Sequence, residues 1–217
     1  MGLTISYDLS LPAETPESEV YRLLEKLRDE AIALPFRATS ELVRLTEQDI
    51  DRPSPMHGLA FARMEDVVDV GGRFVRDKLY RESRGLDVDD APDEEYVYVE
   101  APEGLPVIII GFAVAPGAGS EPASFALAKI DEQDASSPWS WQAFCKTQYA
   151  SAHGEEHFVK CHTSVVKLLD AAKRIGIAVN VYDEAGFYES RDESQLLASV
   201  DNMARRRRAM EYSERRT

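Results

Sequence analysis

The stretch from Val107 to Ala115 constrains the fold of this chain more than any other part of the sequence. It reads VIIIGFAVA, an uninterrupted apolar run rich in β-branched side chains. A continuous run of this kind is typical of a β-strand covered on both faces, and it is only about half as long as a membrane span. We therefore expect it to be the central strand of a layered protein.

Turn and strand patterns that follow this run predict two neighbouring strands. Residues 116–122 read PGAGSEP, which we interpret as a hairpin turn, because a phosphate-binding loop would need a lysine and a following helix. Ser124–Ile130 and Trp139–Tyr149 are rich in residues that favour strands. With Val107–Ala115 they predict three neighbouring antiparallel strands.

Three other segments carry apolar residues at spacings of three and four, the pattern of a helix with one buried face. The first begins near Pro16, the second runs from about Glu155 to Lys173, and the third follows a capping-box pattern formed by Ser190 and Glu193. Strand patterns at residues 3–11 and 177–182 complete the order. The sequence predicts an α+β fold, a mostly antiparallel sheet with helices packed mainly on one face.

Composition and charge limit the class of protein. The 217 residues carry a formal net charge of −14, which repels nucleic acids and anionic membranes and favours a cationic or neutral protein partner. We expect a single domain over residues 1–217, with an acidic loop near residues 82–95 and a basic C-terminal helix containing Arg205–Arg208. The oligomeric state stays open.

The two cysteines are too few for the disulfide framework of a small secreted domain, so we expect reduced thiols. The first residues lack the basic region and apolar core of a signal peptide. Together these features predict a soluble cytoplasmic protein.

The densest group of reactive side chains lies between Cys145 and His162, which holds both cysteines and three of the four histidines. His153, His157 and Cys161 are spaced four residues apart, so one continuous helix would align them, and their donor atoms suit Zn²⁺. Gly154 weakens this metal interpretation because glycine disfavours a helix interior. A core position for Cys161 is the competing interpretation.

A thiol hydrolase would use Cys145 as the nucleophile, His162 or His153 as the base, and Asp183 or Glu184 to orient the imidazole. On a strand, however, Cys145 shares its face with two tryptophans, which indicates a core position. A thiol buried in apolar surroundings has a raised pKa and reacts slowly.

The segment Trp139–Ala150, together with Cys161–His162 and Asp183–Tyr188, resembles a pattern in uncharacterised bacterial proteins of similar length. The resemblance implies a bacterial origin and cytosolic solubility, and it carries over no activity, ligand or catalytic residue. No complete catalytic pattern is present, so the sequence favours a non-catalytic binding or interaction protein without a cofactor. A metal-dependent or cysteine hydrolase centred on Cys145, His153, His157 and His162, with zinc in the metal version, is the alternative.

Overall fold

The alternating apolar residues near the start of the chain form strand β1, and the periodic segments form the predicted helices. The computed structural model describes residues 3–46, 73–76, 96–99, 108–129 and 138–202. The strands are β1 (Thr4–Leu11), β2 (Ala38–Thr39), β3 (Val43–Thr46), β4 (Arg73–Arg76), β5 (Tyr96–Val99), β6 (Ile108–Ala115), β7 (Ala123–Lys129), β8 (Trp139–Lys146) and β9 (Ala178–Asp183). The helices are α1 (Glu17–Ala33), a 3-10 helix (Gln148–His153), α2 (Glu155–Arg174), α3 (Phe187–Ser190) and α4 (residues 193–202).

Seven of the described strands form one antiparallel sheet in the order β2, β6, β7, β8, β1, β9, with β3 also paired to β6. Strand β1 therefore lies between β8 and β9, which are the last two strands of the described chain. Strands β4 and β5 pair with each other in a separate two-stranded sheet. The predicted α+β fold with a mostly antiparallel sheet is confirmed.

The core lies between the sheet and the helices α1 and α2. The apolar stripe predicted for α1 is buried, and in α2 the residues from Cys161 to Val166 are all buried. Strand β1 alternates strictly between buried and half-buried residues, and its Tyr7 ring stacks on Phe125 of β7 with centroids 5.3 Å apart. One face of β1 thus packs into the core while the other faces outward.

Both faces of β6 are buried from Ile109 to Val114, as the continuous apolar run predicts. The approach to β7 is so close that a Cβ at Gly111 would overlap Ala126 directly across the ladder. Strand β6 is not central, however. Among the described strands, the short β2 and β3 pair with its outer edge, whereas β7, β8, β1 and β9 follow in order on its other side.

The start of α4 differs from the sequence prediction. Asp192, and not Ser190, caps this helix, since Asp192 Oδ1 accepts hydrogen bonds from the backbone nitrogens of Ser194 at 2.8 Å and Gln195 at 3.4 Å. The Ser190 hydroxyl instead accepts a bond from the Asp192 backbone. The short helix α3 ends at Ser190, so this residue cannot also precede α4 directly.

Two predicted features lie outside the described residues. They are the acidic loop near residues 82–95 and the basic segment containing Arg205–Arg208. In the part of the chain that the structure describes, no helix combines the length and apolar character that a membrane crossing needs.

Candidate functional site

A buried polar network joins three elements at one end of the sheet. His162 of α2 contacts Asp183, the last residue of β9, with 3.1 Å between Nε2 and Oδ2. On its other side, Nδ1 lies 2.8 Å from the hydroxyl oxygen of Thr147, just after β8. The two ring nitrogens of His162 thus contact side chains from two different elements. The His162 and Asp183 side chains are fully buried.

Asp183 also caps the turn that follows β9. Its two carboxylate oxygens accept hydrogen bonds from the backbone nitrogens of Ala185 and Tyr188, each at 2.9 Å. Burial alone would raise the pKa of this carboxyl group. The hydrogen bond and charge interaction with His162, together with the two backbone donors, outweigh burial and hold the pKa of Asp183 below its ordinary value.

The predicted nucleophile does not join this network. Cys145 on β8 is fully buried, and its thiol donates a hydrogen bond to the backbone oxygen of Glu121 at 3.2 Å. Burial, and to a lesser extent the nearby carboxylate of Glu121, raises the pKa of the Cys145 thiol far above its ordinary value. The structure therefore brings together His162 and Asp183 from the predicted catalytic set, and holds Cys145 in a separate contact.

The second thiol lies against the turn between β6 and β7. The Cys161 sulfur is 3.5 Å from His157 Nε2, which also lies 2.9 Å from the backbone oxygen of Ala118. A Cβ at Gly117 would come within 2.6 Å of the Cys161 sulfur, so only glycine allows this turn to cover it. Burial raises the pKa of Cys161, and the Ser120 hydroxyl and Lys160 offset that effect in part.

The predicted zinc ligands form pairs of neighbours. His153 and His157 rings meet edge to face with centroids 5.4 Å apart, and His157 contacts Cys161. Gly154 ends the 3-10 helix and precedes α2, so His153 lies outside the helix that carries the other two. Within the described ranges, no three His, Cys, Asp or Glu side chains could hold a metal ion. The zinc interpretation gains no support and stays a prediction.

The side of β8, β1 and β9 that faces away from the helices is exposed, and it carries two aromatic rings in one cross-strand row. Phe144 of β8 and Tyr182 of β9 both lie opposite Ser6 of β1. Phe144 is 53% exposed and Tyr182 is 68% exposed. With strands about 4.8 Å apart, the two backbones are separated by about 10 Å, and only the small Ser6 side chain lies between the rings.

Polar residues flank this aromatic row. In the next row along the strands, Asp8 lies between Gln142 and Asn180, and Asn180 donates a 3.2 Å hydrogen bond to the Asp8 carboxylate. We call this surface the open face and define it by the outward residues of β8, β1 and β9, namely Thr4, Ser6, Asp8, Gln142, Phe144, Lys146, Asn180 and Tyr182. At its edge, Lys146 lies over the Phe144 ring, 5.2 Å from its centroid.

Sequence reasoning missed two of these features. Thr147 carries no local signal, because a threonine after a strand is ordinary until the fold places a histidine beside it. The open face could have been found in part, since Phe144 alternates out of phase with the buried tryptophans of β8. The alignment of Phe144 with Tyr182 in one row depends on the order of strands that are far apart in the chain.

Comparisons with known proteins do not extend this description. No family model, curated protein or solved structure matches the chain.

Proposed function

We propose that this protein is a non-catalytic binding protein and that the open face is its docking surface. The observation that carries this proposal is the cross-strand row in which Phe144 and Tyr182 flank Ser6 while remaining more than half exposed. Such rings add nothing to the core. Aromatic side chains presented on a rigid sheet are the residues that most often contribute the larger part of the binding energy at a protein interface.

The position of the two rings distinguishes them from ordinary exposed apolar residues. Three other large apolar side chains are exposed among the described residues, and they lie singly on helices: Tyr21, Ile32 and Tyr149. Isolated residues of this kind need no functional explanation. Phe144 and Tyr182 instead share one face and one row, with hydrogen-bonding groups of Asp8, Gln142 and Asn180 beside them, so they combine apolar anchors with a polar rim.

The hydrolase alternative has less physical support. A thiol hydrolase needs an accessible thiolate beside its base, whereas Cys145 is buried, bonded to a backbone oxygen and raised in pKa. His162 and Asp183 form the pair that such an enzyme requires, yet both side chains are fully buried. The other ring nitrogen of His162 already contacts the Thr147 hydroxyl. These contacts suit a structural network.

The proposal retains the sequence-based expectations of one domain, a cytoplasmic location and a cationic or neutral partner. Two free cysteines support a reducing compartment. The net charge of −14 supports a cationic partner in preference to an acidic one.

Selection from a phage-displayed library of short random peptides tests the proposal. The immobilised protein should enrich a family of related peptides, and a Phe144→Ala/Tyr182→Ala variant should lose at least about tenfold of their affinity. The matched control is Tyr21→Ala/Ile32→Ala, which removes two side chains of comparable exposure from α1. Equal losses in the two variants, or no enrichment at all, would refute the open face as a docking surface.

A further inference from the structure

Within the described ranges, one edge of strand β9 has no strand paired to it. It is the last strand in the sheet order, and no other described strand pairs with it. The backbone nitrogen of Glu184 donates to the oxygen of Thr4, which fixes the alternation along the ladder. The facing pairs Ser6–Tyr182 and Asp8–Asn180 consequently bond to each other, and the backbone groups of Val179 and Val181 point away from β1.

Among the residues that the structure describes, this edge shows none of the devices that usually prevent strand addition. Exposed edge strands are normally blocked by lysine, proline, a bulge or a covering loop. Strand β9 reads AVNVYD, pairs regularly with β1 along its whole length, and leaves Ala178, Asn180 and Tyr182 exposed. A strand with these properties is a template for pairing with another extended segment.

Charge determines which segment fits. Asp8 lies on the open face one strand from this edge, and Glu184 follows β9 and is exposed. In the described part of the chain, neither carboxylate forms an ion pair: Asp8 accepts a bond from Asn180, and Glu184 accepts one from the Thr4 backbone. Pairing two copies of β9 would bring together two chains that each carry a net charge of −14. Repulsion disfavours a second copy and favours a cationic segment.

We propose that β9 binds an extended segment of a partner protein that carries arginine or lysine at alternate positions, added antiparallel or parallel at its free edge. This inference rests on the proposed function and adds the chemistry of the partner. In an added strand every second side chain lies on the open face. There its cations contact the exposed ring of Tyr182 and approach Glu184, in the way that Lys146 already lies over Phe144.

A fluorescent synthetic peptide that alternates arginine with valine tests this inference by anisotropy. It should bind the wild-type protein at low salt and weaken as salt is raised. Three control peptides separate backbone pairing from charge. Two carry methyl groups on alternate backbone nitrogens, either those of the arginines or those of the valines, and the third has glutamate in place of arginine. Both the glutamate peptide and one of the two methylated peptides should lose at least about tenfold in affinity.

Variants of β9 locate the binding. Val181→Pro removes a backbone N–H that points away from β1, and Val181→Ala is its matched control, because it loses the same packing and keeps the donor. Asn180→Lys places a cation on the edge and leaves the backbone intact. We expect Val181→Pro and Asn180→Lys to lose at least about tenfold in affinity for the arginine peptide, and Val181→Ala to lose little. Circular dichroism shows whether each variant is folded.

The outcomes distinguish this inference from the proposed function. If library peptides depend on Phe144 and Tyr182 but are not basic, or if binding survives in Asn180→Lys, strand addition at β9 is refuted while the docking surface stands. If light scattering shows a dimer that Val181→Pro or Asn180→Lys dissociates, the edge serves a second copy and the inference is also overturned.

Discussion

The imidazole of His162 and the carboxylate of Asp183 meet 3.1 Å apart in a fully buried position, where they join the middle of α2 to the last residue of β9. The contact does more than connect two elements. Because Asp183 also accepts bonds from Ala185 and Tyr188, it fixes the turn that leads away from β9 and toward the last described helix. Strand β9 is thus held to the core at the end nearest Glu184.

Asp183→Ala should destabilise the protein by about 3–5 kcal/mol, because it leaves buried hydrogen-bond donors on His162, Ala185 and Tyr188 without an acceptor. Urea unfolding followed by circular dichroism measures the change. Asp170→Ala is the matched control, since it removes an exposed aspartate paired with Arg191 and should cost no more than about 1 kcal/mol. Similar losses in the two variants would contradict the structural role of the buried network.

The stability of the protein should fall in acid partly through Asp183. Its folded pKa lies below the ordinary value, so it stabilises the fold above the unfolded pKa, and this contribution is lost as pH falls through the folded pKa. One proton contributes a slope of at most about 1.4 kcal/mol per pH unit. From about pH 5 to about pH 2, Asp183→Asn should show a flatter fall in unfolding free energy than the wild type. Parallel curves would exclude this contribution.

Both thiols should react slowly in the folded protein. Cys145 and Cys161 are buried, and burial raises the pKa of each. With a disulfide reagent near neutral pH, we expect modification to be about 100-fold or more slower in buffer than in denaturing urea. Cys145→Ser and Cys161→Ser variants assign the rates. Fast modification of Cys145 in the native state would revive the thiol hydrolase hypothesis.

Gly111→Ala should cost about 1–3 kcal/mol, because the added methyl group meets the Ala126 side chain across the ladder between β6 and β7. Thermal unfolding provides the measurement. The double variant Gly111→Ala/Ala126→Gly should recover part of the loss by removing the facing methyl group. A backbone oxygen of Phe125 is also close, so the recovery should be incomplete. Absence of any recovery would place the strain elsewhere.

Local patterns predicted the elements of this fold well. The buried stripe of α1 and the buried side of α2 follow from residue spacing, and predicted bounds such as Pro16 and Lys173 differ from the structure by one residue. Side chains a few positions apart determine such features. The start of α4 was less predictable, because Ser190 and Asp192 can both cap a helix and the choice depends on where α3 ends.

The strand order and the network around His162 could be predicted only in part. Asp183 was among the residues proposed to orient an imidazole, and the structure pairs it with His162. The row formed by Phe144, Ser6 and Tyr182 was not predicted, since it joins strands far apart in the chain. The contact of Thr147 with His162 spans 15 residues, but it depends on how α2 packs after β8. Spacing rules describe one segment at a time and contain no information about which distant strands become neighbours.

The position of β1 between β8 and β9 also determines when this part of the sheet can form during protein synthesis. The Leu3 backbone nitrogen donates a hydrogen bond to the side chain of Gln148, 145 residues away, so β1 meets partners that are made much later. The ribosome therefore releases β1, with its alternating apolar side chains, long before β8 and β9 emerge. The part of the sheet formed by β8, β1 and β9 can therefore pair only after β9 has emerged, and until then the apolar side chains of β1 are a target for chaperones.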